Sequence, residues 1–158
     1  LPPGTGDVHL SLVQSIPLTG AVVVSTPQNI ALADAKKGVS MFQMDTINVP
    51  VLGIVENMAY FTPEELPKNK YYIFGKEGAQ ALAEQLGIEL LAEIPLVQSV
   101  REAADAGRPA ILQDGTPISL ELLKMTTKIL SAVKKRNINL APTKAVEITH
   151  SRGCSTKK

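Results

Sequence analysis

Two continuous apolar runs, Ala21-Val22-Val23-Val24-Ser25 and Val49-Pro50-Val51-Leu52-Gly53-Ile54-Val55, restrict the fold more than any other feature of the chain. Neither alternates apolar with polar residues, so a sheet with one wet face does not suit them. Unbroken β-branched runs belong to strands covered on both faces, as in a parallel sheet. Between the runs, Thr26-Pro27 offers an N-cap followed by proline at the first helical position. Leu32, Ala35, Val39 and Phe42 then recur at the spacing of one helical face. Strand, helix, strand in this order makes a βαβ unit, for which a right-handed crossover is expected. The chain therefore reads as an α/β protein with a mostly parallel sheet.

The rest of the sequence extends this pattern. Asp7 to Gln14 reads as a short helix capped by Asp7, ended before Pro17, with Leu10 and Val13 inward. The second run passes into Glu56-Asn57-Met58. Gly75 and Gly78 frame a helix with Ala79, Leu82, Ala83 and Leu86 inward, stopped by Gly87. Leu90 to Ile94 is a third strand closed by Pro95, and a helix carrying Val97, Val100 and Ala104 runs to Gly107. The last helix starts at Thr116-Pro117 and aligns Ile118, Leu122, Met125, Ile129 and Val133. Lys134, Lys135 and Arg136 stand at its end, where the helix dipole favours cations. Residues 1–136 thus form the folded part, and 137–158 read as a flexible tail.

Residues 59–75 interrupt the rhythm. Tyr60, Phe61, Tyr71, Tyr72 and Phe74 put five of the six aromatics into one stretch around the polar segment Glu64 to Lys70. This reads as an excursion with Tyr71 to Phe74 as its return strand, and its aromatics suit a dimer surface. Glu64-Glu65 reads as solvated rather than as a ligand pair.

Composition narrows the function. With a net charge of +1 and no basic run interleaved with aromatics, nothing resembles a nucleic-acid footprint. No apolar run approaches the roughly 20 residues of a membrane span, so neither nucleic acid nor membrane is expected as a partner. A single cysteine, Cys154, rules out an internal disulfide framework and suits a reducing, cytoplasmic setting. In an open parallel sheet, ligands gather at the carboxyl ends of the strands. The expected ends here are Thr26-Pro27-Gln28, Glu56-Asn57 and Pro95-Leu96. The loop Leu1-Pro2-Pro3-Gly4-Thr5-Gly6-Asp7, feeding a helix N-terminus, is a fourth candidate and suits a phosphate. Together they describe a nucleotide pocket better than a catalytic triad or a metal site.

Five of these motifs, Leu-Pro-Pro-Gly-Thr-Gly-Asp, Ser-Thr-Pro-Gln, Val-Glu-Asn-Met-Ala-Tyr-Phe, Ile-Phe-Gly-Lys-Glu-Gly and Glu-Ile-Pro-Leu, resemble in order and spacing the C-terminal half of the Mrp family. Those proteins are deviant P-loop ATPases, related to MinD and ParA, that carry iron-sulfur clusters. The resemblance covers residues 1–136 and implies a three-layer P-loop NTPase fold. It implies that Pro3, Gly4 and Thr5 form the switch loop that senses the γ-phosphate, and that Asn57 reads adenine. It also implies that Pro95 and Leu96 lie against the base, and that ATP with Mg serves a homodimer delivering clusters to apoproteins. An amide suits a base edge because it offers both a donor and an acceptor.

Two departures qualify what the resemblance implies. No stretch matches G-x-x-x-x-G-K-[ST], so the chain is expected to be the C-terminal piece of a longer ATPase, inactive alone. The Cys-x-x-Cys pair that many members carry after the Tyr-Phe equivalent is replaced by Thr62-Pro63-Glu64-Glu65, which puts a [4Fe-4S] cluster at the usual site in doubt. His150 and Cys154, four residues apart in the tail, are candidates for a metal or cluster site shared across a dimer; His9 reads as an ordinary surface or edge residue. The alternative readings are a MinD-like positioning ATPase and a nucleotide-gated scaffold without cluster chemistry. The first is disfavoured because residues 137–158 lack a sustained apolar face.

Overall fold

The computed structural model describes residues 1, 6–63 and 65–145. In chain order the elements are α1 (Asp7–Ser15), β1 (Ala21–Ser25), α2 (Asn29–Gln43), β2 (Val51–Phe61), α3 (Gly78–Leu86), β3 (Leu90–Leu96), α4 (Gln98–Asp105), a 3-10 turn (Ala110–Leu112) and α5 (Pro117–Asn139). The three strands pair in the order β1-β2-β3, and both pairings are parallel. Alternation along the strands sorts the core onto two faces. Ile54 meets Ala35 of α2 and Ala79, Leu82 and Ala83 of α3 on one side. On the other, Val55 joins Leu91, Ile94 and Ile118, with Leu122, Met125 and Ile129 of α5 packed against them. Helices on both faces of a parallel sheet give the three-layer α/β architecture expected from the sequence. A third cluster, Val13 with Met41, Phe42, Ile47 and Val49, fastens α1 to the end of α2.

Several boundaries differ from the sequence reading, each for a local reason. Gly6 rather than Asp7 is the N-cap of α1, and Asp7 is its first residue. Helix α2 begins at Asn29 behind Gln28, not at Pro27. The Pro27 carbonyl is committed to packing on Gly78, where an added Cβ would lie 2.5 Å from it. β3 runs through Pro95 to Leu96, which is tolerated because among the described residues β3 pairs only with β2 and the missing N–H can fall on its other side. β2 continues to Phe61, and the expected return strand shrinks to one antiparallel bridge, Phe61 to Tyr71. In α4 the buried residue is Ala103, while Ala104 is exposed. Helix α5 extends to Asn139, three residues into the stretch read as tail, and Arg136 is buried in its last turn. The start of α5 is as expected: Thr116 accepts the Ser119 N–H at 3.3 Å, and Pro117 opens the helix.

β1 is the one strand whose expected burial fails. Its far edge has no described partner, and Val24 is 61% exposed, because α5 leans over β2 and β3 instead.

Gly53 tests the closeness of β2 to the start of β3. A Cβ there would stand 2.5 Å from the Glu89 carbonyl, which also accepts the Ile54 N–H, and 2.7 Å from Leu91. Gly53→Ala is expected to destabilise the chain by about 2–3 kcal/mol, since backbone must move. Gly38→Ala, in the middle of α2 with nothing within 4 Å, is expected to stabilise by roughly 0.5–1 kcal/mol. Urea midpoints of the two variants against the parent chain check both signs.

Candidate functional site

The parallel register brings the strand-end motifs to one edge. Ser25 pairs with Glu56, Glu56 with Glu93, Asn57 with Ile94 and Phe61 with Leu96. Thr26-Pro27-Gln28, Asn57 and Pro95-Leu96 therefore lie along the carboxyl side of the sheet. The Thr26 hydroxyl donates to the Gln28 side-chain carbonyl, and Ser25 donates to the Thr26 carbonyl at 3.1 Å, which pins the loop after β1.

A cavity of about 550 Å³ runs along β1 and α2 and is lined by Asn57, Ser25, Thr26, His9 and Asp34 among others. Pro95 and Leu96 do not line it, so the structure divides the expected base-binding residues: Asn57 joins the cavity and the β3 pair does not. The Asn57 Oδ1 accepts the Met58 N–H at 3.0 Å, and Met58 takes φ 54°, a left-handed kink just after the amide. With its oxygen engaged, Asn57 has its Nδ2 donors left for a ligand. Pro3, Gly4 and Thr5, and likewise His150 and Cys154, lie outside the described residues.

His9, expected at the surface or at an edge, is buried. It is 6% exposed, its ring stands edge-on to Phe42 at 6.5 Å, and its Nδ1 has no described partner. His9 and Val13, four apart, form the buried side of α1, which turns Leu10 partly outward.

Glu56, expected with Asn57 at the ligand edge of the sheet, has a role that the sequence reading did not assign. It is 1% exposed, and its Oε2 accepts the Ala79 N–H at 2.5 Å. Helix α3 has no side-chain cap of its own: Glu77 occupies the cap position in the left-handed region, with φ 57°. A carboxyl from β2 thus satisfies an N–H that the helix start leaves unpaired. Burial holds the Glu56 pKa above its ordinary 4.5; the Ala79 N–H opposes the shift, and the charges of Glu93 and Glu77 add to it. An acidic residue inside an otherwise apolar strand, directly before an amide, was the available signal.

The excursion leaves β2 at Phe61 and is closed by reciprocal backbone bonds with Tyr71, both 2.8 Å. Lys70 lies over the Tyr60 ring at 3.8 Å, while Phe61, Tyr71 and Tyr72 remain exposed. Among the described residues, no group of three His, Cys, Asp or Glu side chains could hold a metal. No described helix is long and apolar enough to cross a membrane.

A parallel sheet covered on both faces, with polar residues collected beyond its carboxyl ends, is the architecture of nucleotide-binding P-loop NTPases. The family model for the ParA-type NUBPL iron-transfer P-loop NTPase matches residues 1–133, and the chain belongs to that family. It is 46% identical over 140 residues to an iron-sulfur cluster carrier protein of Aquifex aeolicus, covering 88% of this chain and 37% of that protein. It is 47% identical over 135 residues to the mouse iron-sulfur cluster transfer protein NUBPL, covering 85% and 41%. A solved nucleotide-binding protein of Archaeoglobus fulgidus in complex with ADP aligns with a TM-score of 0.63 at 39% identity, covering 77% of this chain and 47% of that one. The cell-division ATPase MinD of Pyrococcus furiosus, at TM-score 0.59 and 21% identity over 82% and 49%, shares the fold. The chain thus spans about two-fifths of the length of these curated relatives.

Glu56 generates a signed pH dependence. Because its folded pKa lies above the unfolded one, the folded state holds the proton more tightly. That contribution to stability is complete below the unfolded value and is lost as pH rises through the raised folded value. Glu56→Gln keeps an acceptor for Ala79 and is expected to remove this part of the pH slope. Glu56→Ala leaves the N–H unpaired and is expected to cost roughly 1–3 kcal/mol. Unfolding free energies measured from pH 4 upward compare the three chains; an unchanged slope in Glu56→Gln would refute the assignment.

Proposed function

We propose that this chain supplies the nucleotide-reading and partner-contacting part of an ATP-dependent iron-sulfur cluster carrier. The observation that carries the reading is the family match over residues 1–133, together with Asn57 in a cavity at the carboxyl edge of the sheet.

The residues fit a nucleotide in part. The Asn57 Nδ2 would donate to an acceptor on the adenine edge, and the Oδ1 bond to Met58 would hold the amide in one orientation. Pro95 and Leu96, on the neighbouring strand, stand outside the cavity and would reach only a base that extends past Asn57 towards β3. The Pro3-Gly4-Thr5 loop would sense the terminal phosphate through the backbone N–H groups of Gly4 and Thr5 and pass the change to α1. Bound ATP with Mg would supply the γ-phosphate whose presence or loss selects between two arrangements of a homodimer. The exposed aromatics of the excursion suit the surface on which such subunits meet.

The cluster is cargo in this reading, and the described residues provide no ligand set for it. Cys154 is the only thiol the chain can contribute. A reducing compartment suits that chemistry.

A chimera tests the nucleotide role. Residues 1–139 replace the matching portion of the Aquifex aeolicus carrier, and ATP and GTP affinities are measured by calorimetry. The chimera is expected to bind ATP, and Asn57→Ala to weaken ATP by roughly tenfold while sparing GTP, as for one lost base-edge contact of about 1–3 kcal/mol. Equal affinities with and without the Asn57 amide would sink the reading. For the cargo, iron and sulfide are assayed after anaerobic reconstitution of the same chimera extended through Lys158. Cys154→Ala is expected to lower both, and unchanged content would remove Cys154 from the pathway.

A further inference from the structure

At the amino end of β2, opposite Asn57, lies a second cavity of about 410 Å³. It is formed by the connection from α2 to β2, residues 46–50, and by the end of α5 with the segment that follows it. Arg136 is the buried charged group at this place, 8% exposed. Its Nη1 donates to Asn137 Oδ1 at 3.1 Å and its Nη2 to the Ala141 carbonyl at 2.8 Å. Both acceptors are neutral. The Nε has no partner among the described residues, and Arg136 forms no ion pair there.

A guanidinium presents five N–H donors. Two are used, which leaves the Nε–H and two others. Burying a charge without a counter-charge is costly, so such a group is ordinarily paired. Among the described residues the cavity wall contains a second cation, Lys144, the neutral polar residues Thr46, Asn48 and Thr143, and no Asp or Glu. An anion is what this wall lacks.

We propose that the Arg136 cavity binds the phosphate group of a small phosphorylated molecule. The guanidinium's remaining donors suit two oxyanion oxygens, Lys144 adds the second positive charge that a dianion requires, and the volume leaves room for more than the phosphate itself. The site is independent of the nucleotide reading, since it shares no residue with the cavity at Asn57.

Inorganic phosphate is the probe, and the 158-residue chain is the protein. The chain has four arginines, Arg101, Arg108, Arg136 and Arg152, so a variant with Arg101, Arg108 and Arg152 each changed to Lys leaves one arginine Nε–H resonance to follow by nitrogen-proton NMR. That resonance is expected to move saturably with phosphate and not with chloride at matched ionic strength. In calorimetry, Arg136→Lys is expected to weaken phosphate at least roughly tenfold, because a point charge replaces the fork. Arg101→Lys is expected to leave the affinity unchanged. No saturable movement, or equal movement with chloride, overturns the proposal whether or not Arg136→Lys folds. A resonance that ignores phosphate until Glu147→Gln is introduced would also overturn it, by identifying the chain's own carboxylate as the occupant.

Discussion

One buried hydrogen bond, from the Ala79 N–H to the Glu56 carboxyl, holds the working edge of this sheet together. It joins the middle of the central strand to the start of α3 across 23 positions of sequence, which include the second half of β2 and the aromatic excursion. A carboxyl group stripped of water opposes its own ionisation, and Glu93 and Glu77 press in the same direction; the helix N–H is the stabilising partner. The bond fixes where α3 begins, and Gly78 allows the Pro27 carbonyl to approach that start to a distance no side chain would permit. The loops after β1 and β2 are thereby set against each other. With Phe61 and Tyr71 closing the excursion nearer its base, the exposed tyrosines stand on a fixed foundation.

Asn57 inherits its place from the same constraint. It follows Glu56 directly, and its amide is steadied by the Met58 N–H at the kink where φ turns positive. A one-residue slip of β2 would exchange the environments of the two residues, placing the amide under α3 and the carboxyl at the cavity. Parallel pairing with strands on both sides excludes that slip. The register therefore does more for the candidate site than any contact made by the Asn57 side chain alone.

What the sequence made legible was whatever repeats at short range. The faces of α2, α3 and α5 followed from spacing, and the left-handed stop at Gly87 and the Thr116-Pro117 start followed from residue type. What stayed hidden depended on partners distant in the chain. Pro95 looked like a terminator because its strand's unpaired edge is defined only once β2 and β3 have paired. Glu56 gave no local sign of its partner. Lys134, Lys135 and Arg136 looked alike as a cationic end, yet each residue turns the helix by about 100°, and only the third faces inward. His9 went the same way, its burial decided by Phe42 of a different helix.

β1 keeps one mismatch in view. Its run of valines has the composition of a strand covered on every side, but it stands at the rim of the described sheet with Val24 open to water. Exposed, flat, β-branched edges invite pairing, and proteins ordinarily blunt them with charge, proline or a covering segment. Neither charge nor proline interrupts Ala21 to Ser25. The curated relatives are more than twice as long as the matched region, and under the proposed function a segment such as they carry outside it would pair with that edge. The same cavity that holds Asn57 runs along β1, so a strand added there would also wall the nucleotide site. Under the proposed function the open edge and the open wall of the cavity share one cause, and Asn57 would read its ligand only with a strand in place beside Val24.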